Sequence, residues 1–491
     1  MKVDRDEVFV ELTKSVCPVC RRVLDAEVNI RAGGVYLRRT CPDHGRFEAL
    51  TCSDAEWYLA SLRLNKPGTL PLQFATEVVA GCPSDCGLCP DHKQHTCLAL
   101  IEVNSNCNLD CPLCFADSGH QSHGFQLTVE QVKYMVGCYV AAEGNPEAVQ
   151  LSGGEPTIHP QILDLVDVCR DAGIRHVMVN TNGIRLARDR GFAQELAERG
   201  AHIYLQFDGF DAATHVALRG RDLRDLKERA LDRCVEAGLS VTLVAAVQRG
   251  LNEHEVGDIV RFGVRHKAVN SVVFQPVTNA GRHHVFDPLT RLTNPDVMRM
   301  ITDQVPEWFR RSDFVPVPCC FPTCRSVTYA LVDGETVVPL PRLLDVESHL
   351  DYVSNRMIPD ASVLAALERM WSASAVPGSA ELADNLECAT CAIDIPAALS
   401  DLRHRAFMLV VQDFQDAYTL NVRQLKKCCV AELTPDGRQI PFCAYNSVGY
   451  REQVRSQLTG VPVDLAVPNA APLQPGLRVG ANGSTVWRDN A

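Results

Sequence analysis

The sequence predicts an α/β protein centred on a partial (β/α)6 barrel, with an N-terminal metal-knuckle module before it and a C-terminal cysteine-rich extension after it. Three observations predict this. Short apolar runs alternate with amphipathic stretches from Leu98 to Gln275, the pattern of a parallel sheet covered by helices. The 22 cysteines are grouped rather than scattered. The 491 residues also exceed the roughly 250–300 at which one core stops growing, so two or three domains are expected.

In chain order, the first element is a module over 1–65. Cys17-Pro-Val-Cys20 and Cys41-Pro-Asp-His44 form two short knuckles, separated by strand signals at 26–30 and 35–37 and a Gly33-Gly34 turn. Such a pair makes a zinc-ribbon or rubredoxin-like site with one metal held tetrahedrally. Cys17, Cys20 and Cys41 supply three ligands; His44, which keeps the knuckle spacing, is preferred to Cys52 as the fourth. Zinc would make the module structural and iron would allow one-electron transfer, and the residue types admit both.

The segment 66–97 holds a first CxxxCxxC, at Cys82, Cys86 and Cys89. A fourth thiol, Cys97, follows closely and can complete a closed auxiliary cluster, while His92 and His95 read as polar loop residues. The barrel is expected over 98–300. Its strands are predicted at 98–103, 148–151, 176–179, 203–207, 241–247 and 271–275. Its helices are predicted at 129–142, with Thr128 as N-cap, and at 161–172, 192–199, 223–237 and 253–265. Cys138, Cys169 and Cys234 fall inside helices and read as small buried apolar residues.

Parallel α/β sheets gather working groups at the carboxyl ends of their strands. Asn180, Asn182, Gln206, Asp208 and Gln275 stand there and are candidate cofactor or substrate contacts, although Asn and Asp also serve in caps and turns. Arg282 is a carboxylate clamp or a surface salt bridge.

The extension over 301–455 supplies Cys319, Cys320, Cys324, Cys388, Cys391, Cys428, Cys429 and Cys443. Proline beside several of them fixes the turn and removes a competing donor. A second auxiliary cluster is expected on Cys319, Cys324, Cys429 and Cys443, with Cys320, Cys428 and the 388/391 pair as alternatives. Residues 456–491 are rich in Pro, Gly, Ala and Asn and read as a flexible tail.

The chemistry rests on a second CxxxCxxC, Cys107, Cys111 and Cys114, just after the first barrel strand. Three thiolates ligate three irons of a 4Fe-4S cluster and leave the fourth open to a ligand. Unlike the first triad, this one has no close fourth thiol and is followed by Gly153-Gly154-Glu155 behind an apolar strand. The two glycines allow close backbone approach, and Glu155 can accept charge-assisted hydrogen bonds from an ammonium. Together these residues resemble the radical SAM enzymes. In that family the open iron chelates S-adenosylmethionine and the Gly-Gly-Glu element receives its amino group.

A narrower resemblance follows from the order of CPVC, CPDHG, GCPSDCGLCPDHKQHTCLALIEVNSNCNLDCPLCFADSG, LSGGEPTIHP, LQFDGF, FQPVTNAGR and KKCCVAELTPDGRQIPFCAYN. This order is similar to the multi-cluster radical SAM family that contains archaeal tetraether lipid synthase, some members of which are described as dihydropterin methyltransferases. The resemblance covers nearly all of the chain except its tail. It implies three 4Fe-4S clusters, S-adenosylmethionine, a mononuclear iron or zinc site, and an external electron donor such as ferredoxin or flavodoxin. The reaction it implies begins with a 5'-deoxyadenosyl radical that takes hydrogen from an unactivated carbon.

Three function classes follow. The leading expectation is coupling of lipid alkyl chains through a carbon–carbon bond. The alternative is methylation of a pterin or similar small heterocycle. A non-catalytic iron–sulfur electron carrier is disfavoured by Gly153-Gly154-Glu155 and the barrel.

Composition bounds the partners. A net charge of −12 argues against non-specific nucleic-acid binding, and 46% hydrophobic with 22% charged residues is ordinary for a globular chain. No apolar stretch reaches the about 18 residues of a membrane span, and the charged N-terminus is unlike a signal peptide. The expectation is a cytoplasmic enzyme, with peripheral membrane contact if its substrate is a lipid.

Overall fold

The computed structural model describes residues 6–120, 124–283, 286–317, 320–342 and 406–461, together with two short strands at Leu477–Val479 and Thr485–Trp487. The N-terminal module is a four-stranded antiparallel sheet of β1 (Glu7–Val16), β2 (Val23–Arg31), β3 (Gly34–Cys41) and β4 (Gly45–Cys52), followed by α1 (Ala55–Leu62). Alternation along the strands turns Ala26, Val28, Val35 and Leu37 into a small core with Tyr58. The β1–β2 and β3–β4 turns lie at the same end of the sheet, which brings the two knuckles together.

The barrel strands are β5 (Leu98–Asn104), β6 (Ala148–Gly153), β7 (His176–Thr181), β8 (Ala201–Gln206), β9 (Val241–Val247) and β10 (Val269–Pro276). Every residue of β5 is buried, as expected of a strand covered on both faces. The helices are α2 (Val129–Glu143), α3 (Ile162–Asp171), α4 (Ile184–Arg188), α5 (Arg190–Glu198), α6 (Ala212–Arg219), α7 (Arg224–Ala237), α8 (Val256–Arg265) and α9 (Asn294–Gln304). Thr128 caps α2 in a capping box with Gln131. On α8 the stripe of Val256, Ile259, Val260 and Val264 faces the sheet.

Beyond α9 come β11 (Val315–Pro316), β12 (Arg325–Asp333), β13 (Thr336–Pro339), β14 (Ala406–Gln412), α10 (Val422–Leu425), β15 (Val430–Leu433), β16 (Gln439–Pro441), α11 (Phe442–Ser447) and α12 (Tyr450–Thr459). The parallel sheet runs β14-β10-β9-β8-β7-β6-β5-β15, so the predicted six strands gain one at each edge. Both added strands come from the region expected to be a separate extension. The expected division at 300 is therefore not a structural boundary. An open edge leaves backbone donors and acceptors unpaired, and β14, buried along almost its whole length, needs a partner on each side. Antiparallel β12 and β16 then close the outer flanks. The tail expected over 456–491 starts inside α12, and apart from the two short strands the rest of it lies outside the described residues. Among the described residues no helix is long and apolar enough to cross a membrane.

Candidate active site and metal centres

At the carboxyl ends of the strands a cavity is lined by Cys107, Cys111 and Cys114, by Gly153 and Gly154, and by Asn180, Asn182, Gln206 and Gln275. The loop carrying the three thiols is pinned by backbone bonds. The Cys107 N–H donates to the Gly119 carbonyl (3.0 Å), and Cys114 and Arg282 exchange a pair at 2.8 and 2.9 Å. The Ser118 N–H donates to the Cys114 sulfur (3.3 Å). Burial, and then the Glu155 carboxylate, push the Cys107 thiol up to about 12, so a thiolate here calls for a cation beside it. The donor set fits a three-thiolate cluster: three sulfurs share one loop and face a cavity in whose lining no fourth thiol stands among the described residues.

The Gly-Gly-Glu element works by close packing. A Cβ on Gly153 would sit 2.2 Å from the Asn104 carbonyl oxygen, and one on Gly154 would sit 2.0 Å from that of Asn106. Only glycine lets β6 lie against the segment that leads into Cys107, where the Gly154 and Glu155 N–H groups donate to the Asn104 and Asn106 carbonyls, both at 2.9 Å. The Glu155 carboxylate lines the same cavity and is also tied into the fold. Its Oε1 accepts from the Thr157 N–H (3.1 Å), the Thr157 hydroxyl (2.5 Å) and the Thr181 hydroxyl (2.7 Å), and its Oε2 accepts from the Asn182 N–H (2.8 Å). These bonds tie β6 to β7.

Asp208 departs from its expected place. It is fully buried and absent from the cavity lining; its oxygens take a bidentate pair from Arg219 at 2.7 Å each. Arg219 reaches the cavity instead and donates to the Leu113 carbonyl (3.1 Å), directly behind the cluster loop. Asn182 both caps α4 through the Ile184 N–H (3.0 Å) and donates to Asn108 in the cluster loop (2.7 Å). Asn180 donates to Ser152 (3.2 Å) and Gln275 to the Tyr204 hydroxyl (3.1 Å), while Gln206 donates to Asp208 (3.3 Å). Arg282 supports Cys114 through its backbone and lies outside the cavity lining.

Two residues that sequence reasoning missed belong to this assembly, Arg219 and Lys227. Lys227 is buried, with its ammonium on the Asn182 carbonyl (2.7 Å), and burial lowers it to about 8. A signal was present: Lys227 occupies the first position of the buried stripe Lys227, Ala230, Leu231, Cys234 of α7. A charge in an apolar stripe is seldom accidental.

The other thiols fall into three groups. Cys17, Cys20, Cys41 and His44 bring their ligand atoms within 4.8 Å of one another, which fits one tetrahedral metal. Cys52 is buried in the small core of the module. Cys82, Cys86 and Cys89 line a niche closed by Leu425, Lys426 and Pro441. Cys97, expected with them, packs in a different cluster with Leu98 and Cys429, because its N–H pairs with the Cys429 carbonyl (2.9 Å) at the start of β5. Cys324, Cys428 and Cys443 adjoin one another. The alternative Cys428 stands with Cys324 and Cys443, and the expected Cys429 packs in the same apolar group while its carbonyl accepts from the Cys97 N–H. Cys319, Cys388 and Cys391 lie outside the described residues. His92 bonds the Cys428 carbonyl (2.8 Å) and His95 pairs with Glu143 (2.8 Å), both as polar loop residues. Cys169 and Cys234 are in the main core, and Cys138 is half-buried beside Tyr134.

A three-thiol loop over a parallel barrel, backed by the Gly-Gly-Glu strand, defines a radical SAM enzyme. Residues 101–263 match the radical SAM superfamily and residues 9–53 match the HMPTM N-terminal zinc ribbon domain. The chain is 32% identical to 7,8-dihydro-6-hydroxymethylpterin dimethyltransferase of Methanocaldococcus jannaschii, over 92% of this chain and 96% of that one. The chain thus belongs to the multi-cluster radical SAM family of that enzyme. Its cofactors are S-adenosylmethionine with a 4Fe-4S cluster, auxiliary clusters on other cysteine groups, and one mononuclear metal. A probable GTP 3',8-cyclase of Methanothermobacter thermautotrophicus is 27% identical over 37% of this chain and 58% of its own length. Among solved structures, Streptococcus suis SuiB covers 43% of this chain and 47% of its own at a TM-score of 0.37 and 16% identity, a likeness too partial to bear on function.

Proposed function

We propose that this protein is a radical SAM methyltransferase acting on a pterin-like heterocycle. The observation that carries the reading is similarity along almost the whole chain to an enzyme described as a pterin dimethyltransferase, with the zinc ribbon included. The lining of the cavity supports it: within a largely apolar wall, Glu102, Glu432, Arg325, Gln206 and Gln275 offer hydrogen-bonding groups suited to the edges of a heterocycle. The lipid-coupling expectation finds no support in these relatives.

In this reading Cys107, Cys111 and Cys114 hold the open cluster. Gly153, Gly154, Asn180, Asn182, Gln206 and Gln275 contact S-adenosylmethionine, with Glu155 and Asp208 as positioning residues. Cys82, Cys86 and Cys89 hold one auxiliary cluster, and Cys324, Cys428 and Cys443 hold the other. Cys17, Cys20, Cys41 and His44 hold the mononuclear metal. The reduced cluster with bound S-adenosylmethionine supplies the 5'-deoxyadenosyl radical that abstracts hydrogen, chemistry no side chain provides. The protein's own part is positional. Arg219 holds the cluster loop against Asp208, Gly154 sets its distance from β6, and Lys227 joins Asn182 to Gln206.

The test is anaerobic incubation of reconstituted enzyme with S-adenosylmethionine, a reductant and 7,8-dihydro-6-hydroxymethylpterin, read by mass spectrometry. The expected products are 5'-deoxyadenosine and a pterin heavier by one or more methyl groups. Coupled alkyl chains from a lipid extract with an unchanged pterin would reject the assignment.

A further inference from the structure

In the cavity wall, β5 and β15 place two glutamates next to each other, and they differ in one respect. Glu102 is saturated: it receives Arg451 Nε (2.9 Å), the Tyr445 hydroxyl (3.1 Å) and Arg455 (3.4 Å). Burial works against its charge, but Arg451 and Arg455 hold it below the ordinary carboxylate range. Glu432 is 1% exposed and lines the same cavity, and its Oε1 accepts from the Glu102 N–H (2.8 Å). No ion pair joins it to a cation among the described residues. Burial, and then the Glu102 carboxylate, push it well above the ordinary range.

A buried carboxyl beside an open space is costly unless a ligand completes its hydrogen bonds. An aromatic wall of the same cavity indicates the shape of that ligand. Phe115, Phe414 and Phe442 all line the cavity, with Phe115 and Phe442 stacked at 5.3 Å and 10° and Phe414 at 4.8 Å from Phe442. Phe115 directly follows Cys114, and its carbonyl is held by Arg451 (2.9 Å), so the aromatic wall is fixed to the cluster loop.

We propose that Glu432 and the wall of Phe115, Phe414 and Phe442 form the substrate subsite, in which the ring lies against the wall and its 2-amino edge bonds the Glu432 carboxyl. The inference rests on the pterin reading and names the residues that would enforce it. In the complex the carboxylate is ionised and accepts from the 2-amino group and N3–H together, two donors that offset the burial opposing its charge. A 2-oxo ring turns a carbonyl oxygen toward the carboxylate in place of that amino donor. A site built to hydrogen-bond a group rejects the analogue that lacks it.

The experiment measures dissociation constants of two ligands for the iron-loaded enzyme: 7,8-dihydro-6-hydroxymethylpterin and the corresponding 2,4-dioxopteridine. The wild type is expected to prefer the amino compound by about 10- to 100-fold, the range set by one or two hydrogen bonds to a buried charged group. In Glu432→Gln the preference should fall to about parity, since the amide keeps an acceptor for the Glu102 N–H but loses the charge and the donor–acceptor match. Phe442→Ala should weaken both ligands by a common factor. A full preference in Glu432→Gln would overturn the subsite and leave the pterin reading standing. Binding of neither pteridine by the wild type would reject the pterin reading and the subsite together. Iron content and melting temperature report whether each variant is folded; if Glu432→Gln is not, Glu432→Asp is judged by the same ratio, with loss of preference expected and full preference overturning.

Discussion

Cys82, Cys86 and Cys89 repeat the spacing of Cys107, Cys111 and Cys114, yet the two loops have opposite surroundings. The first is sealed. Asp85 gathers the N–H groups of Val79, Ala80 and Gly81 at 2.6–2.7 Å, and the Tyr450 hydroxyl accepts from the Cys86 N–H (3.1 Å) and donates to the Ser84 carbonyl (2.6 Å). Residues of α10 and β16 close its niche. The second loop is braced from behind by β6, Arg219 and Arg282, and its thiols face the cavity. Spacing sets what a loop can ligate, and the neighbours decide whether a substrate can reach it.

The sharpest way to break this contrast is to remove a thiol from each loop. Cys107→Ala should abolish 5'-deoxyadenosine formation, whereas Cys86→Ser should lower the iron content and keep S-adenosylmethionine cleavage when a chemical reductant is supplied. Equal loss in both variants would mean that the sealed loop also takes part in the chemistry. The next effect concerns the brace. Asp208→Asn leaves Arg219 buried without its partner, which costs about 3–5 kcal/mol in denaturant unfolding. The accompanying loss of iron should come from the open loop alone, visible as the disappearance of the S-adenosylmethionine-sensitive cluster signal.

Lys227 gives a smaller effect with a defined sign. Its folded value of about 8 lies below the ordinary 10.5, so the folded protein loses this proton first as pH rises. From about pH 8 to 10.5 the wild type should therefore gain stability relative to Lys227→Met, by up to about 3 kcal/mol at roughly 1.4 kcal/mol per unit. A constant difference between the two across that window would mean that the ammonium is not buried as described. Last, Gly154→Ala sets a Cβ against the Asn106 carbonyl and should cost about 1–3 kcal/mol, read as a lower melting temperature. Gly45→Ala, where a Cβ meets nothing within 4 Å but φ is +79°, isolates the cost of backbone strain in the N-terminal module.

Much of this was legible in the chain. The capping box of Thr128 and Gln131, the apolar runs of β5 and β9 and the two knuckles depend on neighbours a few residues apart, where sequence order and spatial order coincide. Asn182 was legible as to place but not as to duty, since helix cap and loop contact share one side chain. Asp208 stood at the right strand end for a ligand, but Arg219, eleven positions on at the end of α6, turned it into a brace. Cys428 and Cys429 were adjacent choices that only the twist of the chain into β15 could separate.

By itself the sequence determined the radical SAM class, the three-thiol loop, the Gly-Gly-Glu strand and the two knuckles, because each is a short-range pattern. The tertiary structure decided which distant thiols share a centre and that C-terminal strands complete both edges of the sheet. It also decided that Glu432 and Phe442 line the same cavity as Cys107. Those relations follow from strand pairing between segments hundreds of residues apart, such as β5 with β15, and no local pattern carries that information.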